Sequence, residues 1–275
     1  MTIKQTVKKY SSRLRNVTHI PSKEIEILIM YLLDKNVIWL HLNYESEFNK
    51  EKELEKLIQK REKEYPLEYL TQNVSFYGEK FHINEGVLIP RPETEILIEK
   101  VLEVQNSENC INNVLELGTG SGIISVMLAL LIEDIKIIAV DINEKALALA
   151  KKNAIKHGVE DKIEFLHSNL FENVKQTEFD LVISNPPYIA NNYKLPKNVD
   201  FEPHNALFGG EIGDELLKSI IDESSKREVL YLMCEMGYDQ KQPLENYFKG
   251  FDIQTLEFYK DYENFDRGFV AKFKK

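Results

Sequence analysis

Cysteine is nearly absent from this sequence: Cys110 and Cys234 are the only two in 275 residues. They stand far apart and show no metal-ligand spacing, so no metal site is expected from them. This usage argues for a thiol-reduced protein and against a disulfide scaffold. Long apolar runs are missing too. No stretch reaches the ~20 residues that span a bilayer. The opening Met1-Thr2-Ile3-Lys4-Gln5 has neither the apolar core nor the cleavage pattern of a secretory leader. A cytoplasmic location without membrane attachment is the expectation. Basic charge is also short, with 35 Lys and Arg against 45 Asp and Glu and a net charge of −10. A protein that tracks a phosphate backbone needs a concentrated basic surface, so nucleic acid is not expected as a partner, although a local basic patch stays open. We find no internal repeat and no low-complexity segment.

What is present is enough apolar residue, 43% of the chain, to build a core. The length accommodates one large domain and a smaller one. The first seventy residues read as helical. Ser22 to Leu33 is an apolar-rich helix with Pro21 near its start. Glu47 to Lys63 is a charged helix whose Phe48, Leu54, Leu57 and Ile58 recur at near-helical spacing. Its alternating Lys and Glu mark a solvated face rather than a binding site. Val74 to Ile83 reads as a hairpin around Gly78. Leu88-Ile89-Pro90-Arg91-Pro92-Glu93-Thr94-Glu95 then leads into a helix from Glu93 through Val104. The flanking prolines stiffen Arg91, which reads equally as a site residue or a plain surface one.

From Asn113 the pattern alternates. Strands are predicted at Val114–Leu117, Ile135–Val140, Ile163–Leu166, Phe179–Ile183 and Val229–Met233, with helices at Ile123–Ile132 and Glu144–His157. That order implies a parallel sheet with right-handed crossovers and helices on both faces. Ile253–Phe258 and Phe269–Phe273 read as a closing antiparallel pair. The expected division is a helical domain over 1–70, a linking hairpin over 71–90 and an α/β domain over 91–275.

Two stretches carry chemistry. The Phe179–Ile183 strand stops at Asn185-Pro186-Pro187-Tyr188, because two successive prolines remove two backbone donors and fix two φ angles. The result is one amide side chain, carbonyls without competing N–H groups and an aromatic ring. Such a set suits gripping a planar NH2 group: the oxygens accept its hydrogens and Tyr188 packs on its face. The competing reading is a Pro-rich turn and a structural tyrosine. Between the first strand and its helix lies Glu116-Leu117-Gly118-Thr119-Gly120-Ser121-Gly122. Its alternate glycines allow a tight turn and close approach of backbone to a ligand, with free helix N–H groups behind. Asp141 ends the second strand about twenty residues on, where a doubly wound sheet places the acid that holds a ribose diol. A dinucleotide would prefer G-x-G-x-x-G, whose third glycine is Ile123 here. S-adenosylmethionine fits better, because Glu116 beside the loop suits a sulfonium and an amino group and opposes a diphosphate. A glycine turn that only packs helix on strand, and an Asp141 that only neighbours a helix cap, are the plain alternatives.

Gly118–Gly122, Asp141 and Asn185-Pro186-Pro187-Tyr188 together resemble the class I methyltransferases that modify amide or exocyclic amino nitrogens. Phe76-Tyr77-Gly78, the Leu88–Glu95 stretch, and Glu202-Pro203 with Ala206-Leu207 narrow the resemblance to the peptide chain release factor N5-glutamine methyltransferases. It covers Glu64 to the C-terminus with specific motifs, and the first sixty residues only in helical character and size. The resemblance implies a Rossmann-like α/β fold, mostly parallel with a closing antiparallel hairpin, behind a small helical domain that recognises substrate. It implies S-adenosylmethionine as cofactor, held by the Glu116–Gly122 loop and Asp141, with Ser168-Asn169-Leu170-Phe171 as the adenine-contacting turn. It implies Asn185 and the Pro186 carbonyl as the amide clamp, with Pro187 and Tyr188 beside them. Class I release factors, through the Gln of a Gly-Gly-Gln loop, are the implied partner. Glu116 and Asn169 stand where the family more usually has Asp. The alternatives are an adenine-N6 methyltransferase acting on nucleic acid, or a catalytically silent S-adenosylmethionine-binding interaction protein.

Overall fold

The computed structural model describes residues 1–274, which form two compact units. One comprises Met1–Asn73 together with Leu195–Phe201, and the other Val74–Lys194 together with Glu202 onward. The division expected from sequence therefore shifts in two ways. The hairpin expected as a linker belongs to the larger unit, and a seven-residue excursion from the middle of the chain joins the smaller one.

The smaller unit is built from five helices: α1 (Ile3–Ser11), α2 (Pro21–Leu33), α3 (Val37–Leu42), α4 (Glu51–Arg61) and α5 (Leu67–Thr71). Helix α1 starts in a capping box, in which the Thr2 hydroxyl accepts from the Gln5 N–H and the Gln5 side chain accepts from Thr2. Ile3, Val7 and Tyr10 recur at helical spacing and pack with Ile25, Leu28 and Ile29 of α2 and Leu54 and Ile58 of α4. Each such burial stabilises the unit by roughly 1.5–3 kcal/mol. The predicted Glu47–Lys63 helix starts later, at Glu51, because Phe48 is drawn into the core ahead of it. Two carboxylates of the predicted stretch are structural: Arg13 bridges Glu55 on α4 and Glu62 at its C-terminal cap at 2.8 and 2.7 Å. Within the same unit, Phe201 of the excursion stacks edge-on against Tyr65 at 5.2 Å, and Lys197 approaches Glu64 at 3.5 Å.

The larger unit opens with the hairpin β1 (Asn73–Phe76) and β2 (Glu79–His82), followed by α6 (Thr94–Glu108). The alternating run follows as β3 (Asn113–Leu117), α7 (Ile123–Leu131), β4 (Lys136–Asp141), α8 (Glu144–His157), β5 (Ile163–His167) and β6 (Glu178–Ser184). A short parallel pair, β7 (Ile189–Ala190) and β8 (Phe208–Gly210), which the sequence reading lacks, lies after β6. Helix α9 (Glu215–Ser225), β9 (Glu228–Glu235), α10 (Lys241–Phe248), β10 (Ile253–Lys260) and β11 (Asp266–Phe273) complete the unit.

The seven-stranded sheet runs β10-β11-β9-β6-β3-β4-β5, parallel except for β11, which pairs antiparallel with both neighbours. Side-chain alternation sorts its residues onto two faces. Val114, Leu181, Ile183 and Met233 pack with α6 and α7, while Leu115, Val182, Leu232 and Cys234 pack with α9 and α10. From β3 the chain moves outward to β4 and β5 on one side, then returns to β6 and β9 on the other. The order thus reverses at β3, and such a reversal opens a crevice beyond the carboxyl ends of the strands. Register places the site there: Leu117 pairs with both Val140 and Ser184. Gly118, Asp141 and Asn185 are each the next residue, so three strands deliver them side by side.

Candidate active site

A cavity of about 170 Å³ occupies that crevice. This is more than ten times the ~10–15 Å³ a single water needs, so it has room for an organic ligand. Gly118 and Gly120 line it from the β3 loop, Asp141 and Asn143 from the end of β4, Asn169 and Leu170 from the turn after β5, and Asn185, Pro186 and Pro187 from the end of β6. Gly86, Leu88, Pro203 and Ala206 close its rim. No Lys or Arg is among the lining residues, and Asp141 is the only ionisable side chain there. A diphosphate would have no cation to meet, whereas a nucleoside carrying positive charge meets a carboxylate.

Asp141 holds the loop and faces the cavity at once. Its Oδ2 accepts the Gly120 N–H at 2.9 Å and its Oδ1 the Asn143 N–H at 2.8 Å. A carboxylate has about four acceptor sites, so two remain for a vicinal diol. Burial pushes its carboxyl up while those N–H groups pull it down. Asn143, which the sequence reading did not single out, caps α8 through Oδ1 and ties the rim by donating to the Gly86 carbonyl at 2.9 Å. Asn169 donates through Nδ2 to Glu172 at 2.8 Å, which leaves its Oδ1 as the acceptor. Leu170 holds φ at 48°, a left-handed conformation rare outside glycine, while the Ser168 hydroxyl donates to its carbonyl at 2.9 Å.

Not every residue expected at the cofactor reaches the cavity. Glu116, Thr119, Ser121 and Gly122 are absent from its lining. Strand alternation turns Glu116 toward α7, where its Oε2 accepts from the Thr119 hydroxyl at 2.8 Å, from the Ser125 N–H at 3.2 Å and from the Ser125 hydroxyl. Its Oε1 is buried without a hydrogen-bond partner among the described residues, and burial pushes the carboxyl up to about 7. Glu116 is a strut inside the loop rather than a ligand at its surface. Gly122, at φ 80°, is required by packing, since a Cβ there would lie 2.8 Å from the Ala150 Cβ on α8.

The Asn185–Tyr188 corner is held from several sides. Asn185 Nδ2 donates to Thr94 Oγ1 at 3.0 Å, and Thr94 donates to Glu235 Oε2 at 2.7 Å. The Tyr188 hydroxyl donates to Glu235 Oε1 at 3.0 Å. Tyr188 is not among the residues lining the cavity, and its hydroxyl anchors the corner on Glu235. Gly209 of β8 lies directly against the corner: a Cβ there would be 2.4 Å from the Pro187 carbonyl oxygen. Any side chain at 209 would displace the prolines.

The Leu88–Glu95 stretch acts through the same fastenings. Thr94 enters the chain of hydrogen bonds just described, and Glu95 accepts the Tyr77 N–H at 2.7 Å. Arg91, left open by the sequence, pairs with buried Glu202 and lies outside the cavity lining. The signal that could have found Thr94 and Glu235 was faint: a polar residue opening an apolar helix, and an acid closing an apolar strand.

Two family models match the chain, the Methyltransferase small domain over residues 92–200 and the PrmC N-terminal domain over residues 5–71. A curated release factor glutamine methyltransferase of Aquifex aeolicus is 36% identical over 98% of this chain and 95% of its own length. A bifunctional methyltransferase of Rickettsia typhi is 33% identical over 97% of this chain, which spans 56% of that protein. The crystallised catalytic domain of human METTL16, bound to an RNA hairpin, superposes with a TM-score of 0.60 at 17% identity, covering 71% of this chain and 76% of that one, and shares the fold.

Proposed function

This chain belongs to the release factor glutamine methyltransferase family, and from that premise we propose that it methylates the side-chain amide nitrogen of the glutamine in the Gly-Gly-Gln loop of class I peptide chain release factors, using S-adenosylmethionine, in the cytoplasm. The observation that carries the reading is the Asn185-Pro186 corner. Its amide nitrogen is already committed to Thr94, its Oδ1 makes no hydrogen bond among the described residues, and it stands in a cavity with one carboxylate and no basic residue.

The cavity fits the cofactor in chemistry. Asp141 would take the ribose diol on its two remaining acceptor sites, Asn169 Oδ1 would accept from the adenine amino group, and Gly118 and Gly120 allow backbone to close on the ligand. Bound there, S-adenosylmethionine would supply a methyl group on positively charged sulfur, open to attack by a nitrogen lone pair. A carboxamide nitrogen is a poor nucleophile because its lone pair is shared with the carbonyl. Asn185 Oδ1 and the Pro186 carbonyl would accept its two N–H bonds and fix its orientation in the crevice. As positive charge grows on that nitrogen the same acceptors bind it more strongly, which lowers the barrier selectively. No side chain is needed to remove a proton beforehand, because the methylated amide, once cationic, would release one of its two N–H protons to solvent.

All residues lining the cavity lie in the larger unit, and none in the helical one. The helical unit is accordingly assigned to recognition of the protein substrate. The test is to incubate purified release factor with the protein and isotope-labelled cofactor, then map the label by mass spectrometry. One labelled methyl on the Gly-Gly-Gln peptide is expected. An unlabelled glutamine, or label in added RNA or DNA, would overturn the assignment.

A further inference from the structure

Three side chains far apart in sequence form one directed chain of hydrogen bonds beneath the Asn185 corner. Asn185 Nδ2 lies 3.0 Å from Thr94 Oγ1, and Thr94 Oγ1 lies 2.7 Å from Glu235 Oε2. Thr94 and Glu235 are each 1% exposed, and both carboxylate oxygens of Glu235 are engaged, the second by the Tyr188 hydroxyl.

The direction of this chain decides which atom of Asn185 faces the cavity. An ionised carboxylate only accepts, so the single hydroxyl proton of Thr94 must point at Glu235. The Thr94 oxygen is then left as an acceptor, and the part of the Asn185 amide that meets it must be the NH2. Its oxygen is thereby turned to the only remaining side. Reversed, the amide would show two N–H donors to a substrate that itself brings two N–H donors, and nothing would bind them. An Asn side chain alone has no such preference, because its two orientations have nearly the same shape.

We propose that Thr94 and Glu235 are positioning residues that lock the Asn185 amide with its oxygen toward the substrate, and that Glu235 fixes Tyr188 of the same corner through its other oxygen. This rests on the amide-clamp reading above. The groups facing Glu235 are Thr94 and Glu93 at the start of α6, Tyr188 after β6, Tyr259 on β10 and the Arg267 guanidinium on β11. Burial pushes its carboxyl up, and Arg267 together with the two hydroxyl donors pulls it down. Protonated Glu235 could donate to Thr94 and let the chain run backwards, so turnover falls as pH drops through its titration.

Thr94→Val keeps the shape and removes the hydroxyl, whereas Thr94→Ser keeps the hydroxyl. For Thr94→Val we expect kcat on a release factor to fall ~10–100-fold with cofactor affinity within about twofold of the parent. Thr94→Ser should restore most of the turnover, and the acid limb seen in the parent should vanish in the Val variant. Independently of any substrate, the side-chain NH2 resonances of Asn185, identified by their disappearance in Asn185→Asp, should shift in Thr94→Val and stay in place in Thr94→Ser. Unmoved resonances in Thr94→Val, or parent-like turnover in it, overturn the proposal. A parent protein that methylates no release factor overturns the functional reading instead, and the resonance measurement still decides the relay.

Discussion

Arg91 and Glu202 lie 111 residues apart in the chain and meet at 2.5 Å. The guanidinium also donates to the Ile89 carbonyl at 2.9 Å, and the second Glu202 oxygen accepts the Ile89 N–H at 2.9 Å. The clasp encloses Ile89, and its flanking residues Leu88 and Pro203 both line the cavity rim.

Arg91→Met should therefore act on stability and cofactor binding together. Glu202 would remain buried with only the Ile89 N–H to meet its charge. Removing one partner of a buried pair costs 3–5 kcal/mol, but the Arg91 side chain is 32% exposed, so about 1–3 kcal/mol is expected. Denaturant unfolding and calorimetric titration of S-adenosylmethionine measure both effects. An unchanged midpoint would mean that the clasp contributes nothing.

Asp141→Ala should weaken the cofactor on the order of 10–100-fold, through the lost charge-assisted hydrogen bonds to the ribose. The same change strips the Gly120 and Asn143 N–H groups of their acceptor, so loop order should suffer as well. Asp141→Asn separates the two, since its one oxygen can serve the loop or the ligand. If titration gives the parent dissociation constant for Asp141→Ala, the cofactor lies elsewhere.

Asn185→Ala should lower turnover on the order of 10²–10³-fold, as for other lost transition-state hydrogen bonds. Stability should change little, because the residue faces the cavity and its one anchor is a neutral hydrogen bond. Asn185→Asp should keep cofactor affinity and still lose most turnover, since a carboxylate cannot donate to Thr94 and the relay is broken. Near-parent methylation of a release factor by Asn185→Ala would rule out the amide clamp.

Glu116 sets a pH dependence of stability. Burial raises its carboxyl from the ordinary 4.5 to about 7, so the folded protein retains a proton that the unfolded chain releases. Its contribution is fully present below pH 4.5 and is lost as pH rises to about 7, a change of about 3 kcal/mol. Glu116→Gln has no proton to lose. The stability of the parent relative to this variant should decline across that window and then level off. Parallel urea midpoints from pH 4.5 to 8 would show that Glu116 does not titrate there.

The parts of the site legible in sequence were those whose chemistry is local. Three successive turns at strand ends announced Gly118, Asp141 and Asn185, because glycine, an acid at twenty residues and a double proline each constrain their own backbone. The open sheet followed from the alternation of short apolar strands with helices. What escaped was set by distant partners. Thr94 takes its role from Glu235, Arg91 from Glu202, and Gly209 from the Pro187 carbonyl. The place of Glu116 beside the glycines points it to the ligand. One residue of strand alternation turned it away, and a sequence spacing does not reveal to which face a loop-adjacent side chain is sent.

Leu195–Phe201 has a consequence for modularity. The polypeptide enters the helical unit twice, once at its beginning and again within the stretch between the proline corner and β8. The border between the units is thus three cut points in the sequence rather than one. A fragment beginning at Val74 would keep Phe201 but lack Tyr65, its aromatic partner. Moving the helical unit of this chain onto another protein would require the excursion to travel with it.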